Sequence, residues 1–177
     1  MTQAKADHLF HILLGTLDWK DFADCDFVIE AVFEEMPIKQ DVFAQAEEVV
    51  SSTCVLATNT SSLSVSEMAS KLKNPERVVG FHFFNPVAVL PLLEIIKGEK
   101  TDDATLVTAF ECAKKLKKNA ILVKDSPAFL VNRLLTKLLT DCFQMVEEGA
   151  TFEQVDDACL ALGLPMAPFE LLAFVVT

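Results

Sequence analysis

An alternation constrains this chain more than any other feature. Between Asp24 and Asp125, apolar runs of strand length, "CDFVIEAVF", "CVLATNT", "RVVGFHFF", "LLEIIKG" and "AILVKD", take turns with helically spaced stretches such as "VFAQAEEVV" and "SVSEMASKL". Strands separated by helices predict a mainly parallel sheet, because a parallel return needs a crossover long enough to hold a helix. "RVVGFHFF" and "LLEIIKG" are the exception: joined only through "NPVAVLP", they read as antiparallel neighbours.

At Ser126-Pro127 the strand signals stop. Ser is a good N-cap and Pro suits a first helical turn, so a helix is expected to open there. Val131, Leu134, Leu135, Leu138, Leu139, Cys142, Phe143 and Val146 trace one apolar stripe, and Gly149 is placed to end that helix. Ser64-x-x-Glu67 and Thr151-x-x-Gln154 read as capping boxes opening further helices. Another helix is expected from near Thr101 to the lysine cluster, and "PMAPFELLAFVV" reads as the last. The fold class is therefore α/β: residues 1–125 form part of a doubly wound, Rossmann-like sheet, and residues 126–177 begin an all-α domain. The five glycines contain no G-x-G-x-x-G, and "LLAFVV" has little after it to cover its apolar surface. Both ends thus read as those of an internal piece of a larger enzyme.

Composition removes several function classes. A formal charge of −11 opposes nonspecific binding to nucleic acid or anionic membrane, both of which call for a basic surface. No apolar run reaches the roughly 18 residues of a membrane span. The opening segment lacks a secretory layout, its apolar stretch being broken by Asp18, Lys20 and Asp21, so a cytoplasmic location is expected. The five cysteines are odd in number and form no C-x-x-C, which reads as reduced core thiols. "KKLKK", Lys114 to Lys118, reads as a solvated helix C-terminus, with phosphate binding as the alternative. His8 and His11 have the spacing of a metal pair, but nothing completes a site and no metal is expected.

In "VVGFHFFNPV" the imidazole of His82 stands out among apolar neighbours. An antiparallel pairing that sets Phe84 against Leu92 also sets His82 against Glu94 and Gly80 against Ile96. Opposed side chains share a face about 5 Å apart at Cβ, so Glu94 could orient the ring and stabilise its charged form while the second nitrogen takes a substrate proton. A satisfied core histidine is the competing reading.

Four blocks, "ATNTSSLSVSEMA", "GFHFFNPVAVLPLLEIIKG", "VKDSPAFLVNRLL" and "GLPMAPFELL", resemble in order and spacing the 3-hydroxyacyl-CoA dehydrogenase family of fatty-acid β-oxidation, and "FADCDFVIEAVFEE" is most similar to the dehydrogenase part of bacterial multifunctional fatty-oxidation proteins. The resemblance implies that NAD is the cofactor and a (3S)-3-hydroxyacyl-CoA the substrate. It implies that His82 is the catalytic base, Glu94 its acidic partner, Ser61 a hydroxyl touching substrate and cofactor, and Asn132 an amide completing the substrate site. It also implies that Glu34 and Lys39 lie near the nicotinamide ribose; on residue type alone both are ordinary surface charges. As partners it implies further domains or subunits of a β-oxidation enzyme and a homodimer. The chain departs from the family at Ala128 and Ala167, where glycines are usual, and in lacking the pyrophosphate-binding glycine loop, so poor dinucleotide binding is expected. Two functions remain open: the dehydrogenase itself, or a noncatalytic fragment that keeps an acyl-CoA cleft or an assembly surface.

Overall fold

The computed structural model describes residues 2–176, with side chains as far as Ala173. Of the apolar run "LLAFVV", the side chains of residues 174–176 lie outside those described. The chain divides into two compact units, residues 1–125 and 126–177.

The first unit is a five-stranded sheet in the order β1 (Phe27–Glu30), β2 (Val55–Thr58), β3 (Val78–Phe83), β4 (Leu92–Lys97), β5 (Asn119–Lys124). All neighbours are parallel except β3 and β4. It is the mainly parallel, Rossmann-like sheet expected from the alternation. Alternate residues face opposite sides of a sheet. Val55, Ala57, Val79, Phe81, Leu93 and Ile95 share one face and pack on Leu106, Ala109 and Ala113 of α4 (Asp103–Lys115). Phe81 meets Phe27 and Phe83 edge-on, each at 5.3 Å between ring centroids. Helices α2 (Met36–Val49) and α3 (Val65–Ala69) pack on one another and against β1 and β3, covering the opposite side. That opposite face carries Leu56, Val78, Gly80, His82, Glu94 and Ile96.

Upstream of β1 lies α1 (Gln3–His11), which buries no residue. His8 and His11 sit one turn apart on it, both exposed. The lysine cluster ends α4 as read: Lys117 takes φ 58°, its amide bonds to Lys114 O and the Lys118 amide to Ala113 O, a Schellman closure without glycine.

The second unit holds α5 (Val131–Glu147), α6 (Phe152–Ala161) and α7 (Pro168–Val176). Its core is Cys142, Val155 and Cys159, flanked by Leu138, Val146, Ala150, Leu164 and Phe169. Gly149 and Gly163, at φ 111° and 97°, close α5 and α6 with further Schellman pairs. The Thr151–Gln154 capping box is present with both of its hydrogen bonds.

Two local expectations are corrected. Helix α5 opens at Val131, not at Ser126-Pro127, because Ala128 and Phe129 take φ 60° and 48°, and the Phe129 amide turns back to Ser126 O at 2.9 Å. Consecutive left-handed residues do not propagate a right-handed helix. Helix α3 stops at Ala69, short of Leu72. Its N-terminus is capped by Ser64, whose side chain accepts the Glu67 amide at 3.2 Å as read, and Asp125 adds to this, its carboxylate accepting from the Val65 amide at 3.1 Å and the Ser66 amide at 2.8 Å. Along the apolar stripe of α5, Cys142 is buried while Leu134 is 64% exposed.

Candidate active site

The observed β3–β4 register pairs Gly80 with Ile96 and His82 with Glu94, as the sequence predicts. Both acidic and basic side chains are buried, and His82 Nδ1 lies 2.8 Å from Glu94 Oε2. A carboxylate has only acceptors, so Nδ1 carries the proton and donates. The ring of Phe84 leans on the imidazole at 4.6 Å between centroids, restricting its rotation. Asn59, just past β2, accepts the Phe83 amide on Oδ1 at 2.9 Å and so extends the β2–β3 ladder to the residue after His82.

A second polar cluster stands on the same sheet face. Register places Glu30 beside Thr58, Thr58 beside Gly80 and Gly80 beside Ile96, the row adjacent to the His82–Glu94 row. Glu34 lies four residues beyond Glu30 at the C-terminal end of β1, where open α/β sheets bind ligands. Its Oε1 accepts from the Ser61 amide at 2.9 Å, the Ser62 amide at 3.3 Å and the Thr60 hydroxyl, while Oε2 meets Lys39 Nζ at 3.1 Å. Burial pushes the Glu34 carboxyl upward, but the Thr60 hydroxyl, the Ser61 amide and the Lys39 ammonium outweigh it and leave the group below its ordinary range. The carboxylate is 38% exposed, so a ligand can reach it.

The structure thus brings Glu34, Lys39 and Ser61 into one cluster and His82 and Glu94 into another, with the end of β2 tied to both through Thr58 and Asn59. Lys39 is not the surface charge its residue type suggests; its side chain is buried. Asn132 lies in the first turn of α5, in the second unit. Sequence reasoning missed Glu30, whose side chain is fully buried and bonded to Lys39 at 2.8 Å. The available signal was a carboxylate inside the apolar run "DFVIEAVF", nine residues before Lys39. Among the described residues, no group of three or more His, Cys, Asp or Glu could hold a metal ion, and no helix is long and apolar enough to cross a membrane.

Residues 1–126 match the family described as "3-hydroxyacyl-CoA dehydrogenase, NAD binding domain", and residues 129–176 match "3-hydroxyacyl-CoA dehydrogenase, C-terminal domain". Among curated proteins, the fatty acid oxidation complex subunit alpha of Pseudomonas putida is 42% identical over 172 residues, 97% of this chain and 24% of the relative. Among solved structures, M. tuberculosis FadB2 is 41% identical with a TM-score of 0.92, and the (S)-3-hydroxybutyryl-CoA dehydrogenase PaaH1 of Ralstonia eutropha is 34% identical with a TM-score of 0.93. Each of these two matches covers 97% of this chain and 61% of the other. The chain therefore spans about a quarter of the curated relatives and about three fifths of the solved ones. With both family domains matched in order along nearly its whole length, the chain belongs to the 3-hydroxyacyl-CoA dehydrogenase family.

Proposed function

We propose that the chain carries a hydroxyl-oxidising site for the NAD-dependent conversion of a (3S)-3-hydroxyacyl-CoA to the 3-oxoacyl-CoA, with His82 as general base. The observation that carries this reading is the buried His82–Glu94 pair at 2.8 Å, with Nδ1 donating to the carboxylate. In that role Nε2 takes the proton of the substrate's 3-hydroxyl, and Glu94, bonded to the opposite nitrogen, stabilises the imidazolium that results. Phe84 and the Asn59–Phe83 bond hold the ring in place, so little orientation is lost at the moment of transfer.

The chain's residues fit the dinucleotide on one observation. Glu34 presents a partly exposed, acceptor-only carboxylate at the C-terminal end of a parallel strand, suited to the hydroxyl donors of a ribose. NAD, when bound, supplies the acceptor for the hydride leaving carbon 3. In this reading Glu34 and Ser61 bind on the cofactor side, Lys39 supports them, Ser61 also touches the substrate, and Asn132 gives its amide to the acyl-CoA. The chain works beside other domains or subunits of a fatty-oxidation enzyme, pairs with a second copy, and resides in the cytoplasm.

The test is NADH formation from (3S)-3-hydroxybutyryl-CoA and NAD+, followed for the chain and for His82→Gln. Loss of a positioned base is expected to lower kcat by about 10²–10⁴-fold. Equal rates in the two proteins would remove His82 from the reaction.

A further inference from the structure

We infer that Glu30 is a positioning residue: acting through Lys39, it holds the Glu34 carboxylate against the Ser61–Ser62 backbone in the geometry that receives the cofactor. The inference rests on the NAD reading above. Glu30 has a fully buried side chain, so it cannot meet a ligand itself. An isolated buried carboxylate would be strongly disfavoured, and this one is surrounded by donors instead. Oε1 accepts from the Val32 amide at 2.6 Å and from Lys39 Nζ at 2.8 Å; Oε2 accepts from the Thr58 hydroxyl at 2.7 Å.

Lys39 reaches back from the first turns of α2 to complete the relay. An ammonium has three protons, and three acceptors surround this one: Glu30 Oε1 at 2.8 Å, Glu34 Oε2 at 3.1 Å and Val32 O at 3.4 Å. One oxygen of Glu34 is held by that ammonium while the other gathers the Ser61 and Ser62 amides. The position of the Thr60–Ser62 loop is thereby linked to Glu30 through Lys39 and Glu34. A carboxylate suits Glu30 best, because donors approach both oxygens. A glutamine offers one oxygen and one NH2. Turned one way, its NH2 faces Lys39 and the Val32 amide, donor against donor. Turned the other way, its NH2 meets the Thr58 hydroxyl, which already accepts the Thr60 amide at 3.2 Å and then has to give up Glu30 as the acceptor for its own proton.

The experiment compares the parent chain with Glu30→Gln, with Glu30→Gln/Lys39→Met, and with Leu106→Ala, a core truncation on α4. NMR reads amide exchange at Ser61 and Ser62 and the shifts induced by NAD+, and calorimetry reads stability. Glu30→Gln is expected to speed exchange at both serines and to raise the NAD+ Kd by about tenfold or more, the scale of one lost charged hydrogen bond. Leu106→Ala should lose stability while its NAD+ Kd stays within about twofold of the parent, because its cavity lies on the opposite sheet face. The double variant removes the buried charges together, so it should regain stability over Glu30→Gln without regaining NAD+ binding; it keeps the test decisive where the single variant does not fold. Binding that follows stability across all variants would overturn the inference. Parent and Glu30→Gln chains binding NAD+ equally would overturn it while leaving the cofactor reading intact. A parent chain with no NAD+-induced shifts, even at NAD+ concentrations high enough to register weak binding, would overturn both.

Discussion

Substituting Gly80 by alanine tests how closely the strands must approach to form the His82–Glu94 pair. A Cβ at Gly80 would sit 2.6 Å from Ile96 Cβ and 2.7 Å from Ile96 Cδ1. Carbon atoms settle at about 3.5–4.0 Å, so contact must open by roughly 1 Å. Ile96 cannot swing aside, because the nearest atom is its own Cβ on the partner strand and the side chain is fully buried. The strands must therefore separate in the row next to His82 and Glu94, on the same face. Overpacking of this kind costs about 1–3 kcal/mol, and the lost freedom of the unfolded chain returns about 0.4–1 kcal/mol. The net loss is about 1–2 kcal/mol, a fall in Tm of about 2–8 °C at this chain length. Calorimetry reads that fall. Proton NMR on histidine-labelled chain reads the dyad directly, since the Nδ1 proton shared with Glu94 resonates far downfield and should weaken or vanish. Gly15→Ala, which meets nothing within 4 Å, is the control and should change neither. A Gly80→Ala chain with the parent's Tm and an unaltered Nδ1 resonance would show that the dyad does not depend on this close approach.

Three further outcomes are expected. Glu34 sits below its ordinary value of 4.5 in the folded chain, so its contribution to stability is full above pH 4.5 and is lost as the pH falls through the depressed value; denaturation midpoints measured across that range should therefore fall more steeply with acidification in the parent than in Glu34→Gln. Ala128 at φ 60° holds a left-handed conformation that costs a non-glycine residue about 1–2 kcal/mol, less the entropy glycine adds to the unfolded chain, so Ala128→Gly should stabilise by about 0.5–1 kcal/mol, read as a higher denaturation midpoint. Burial pushes the Cys54 and Cys142 thiols up, the latter further raised by Cys159, so mass spectrometry after brief iodoacetamide treatment at neutral pH should find neither labelled until the chain unfolds.

What could be read from the sequence depended on how far away each residue's partner lies. The dyad was legible because strand alternation has a period of two: once "VVGFHFF" and "LLEIIKG" are set antiparallel, the choice that faces Gly80 with Ile96 forces His82 onto Glu94, and the observed register is that one. The capping box at Thr151 was legible for the same reason, since both of its hydrogen bonds span three residues. The Ser64 cap of α3 was legible too, but the support that Asp125 adds to it was not, because it comes from sixty or so positions further along the chain. Nor was the start of α5, where a favourable Ser-Pro pair is overridden by the two left-handed residues that follow. Lys39 and Glu30 illustrate the same limit within the site. Lys39, taken alone, reads as a solvated charge, and Glu30 is hidden in an apolar run; only the fold that bends α2 back over the end of β1 makes them partners, and only the neighbouring strand brings the Thr58 hydroxyl to the second oxygen of Glu30. A buried ion pair of this kind is poor evidence of stability, because desolvation offsets much of its attraction. Its presence beneath Glu34, where an apolar pair would pack as well, is therefore better explained by what the charges position than by what they stabilise.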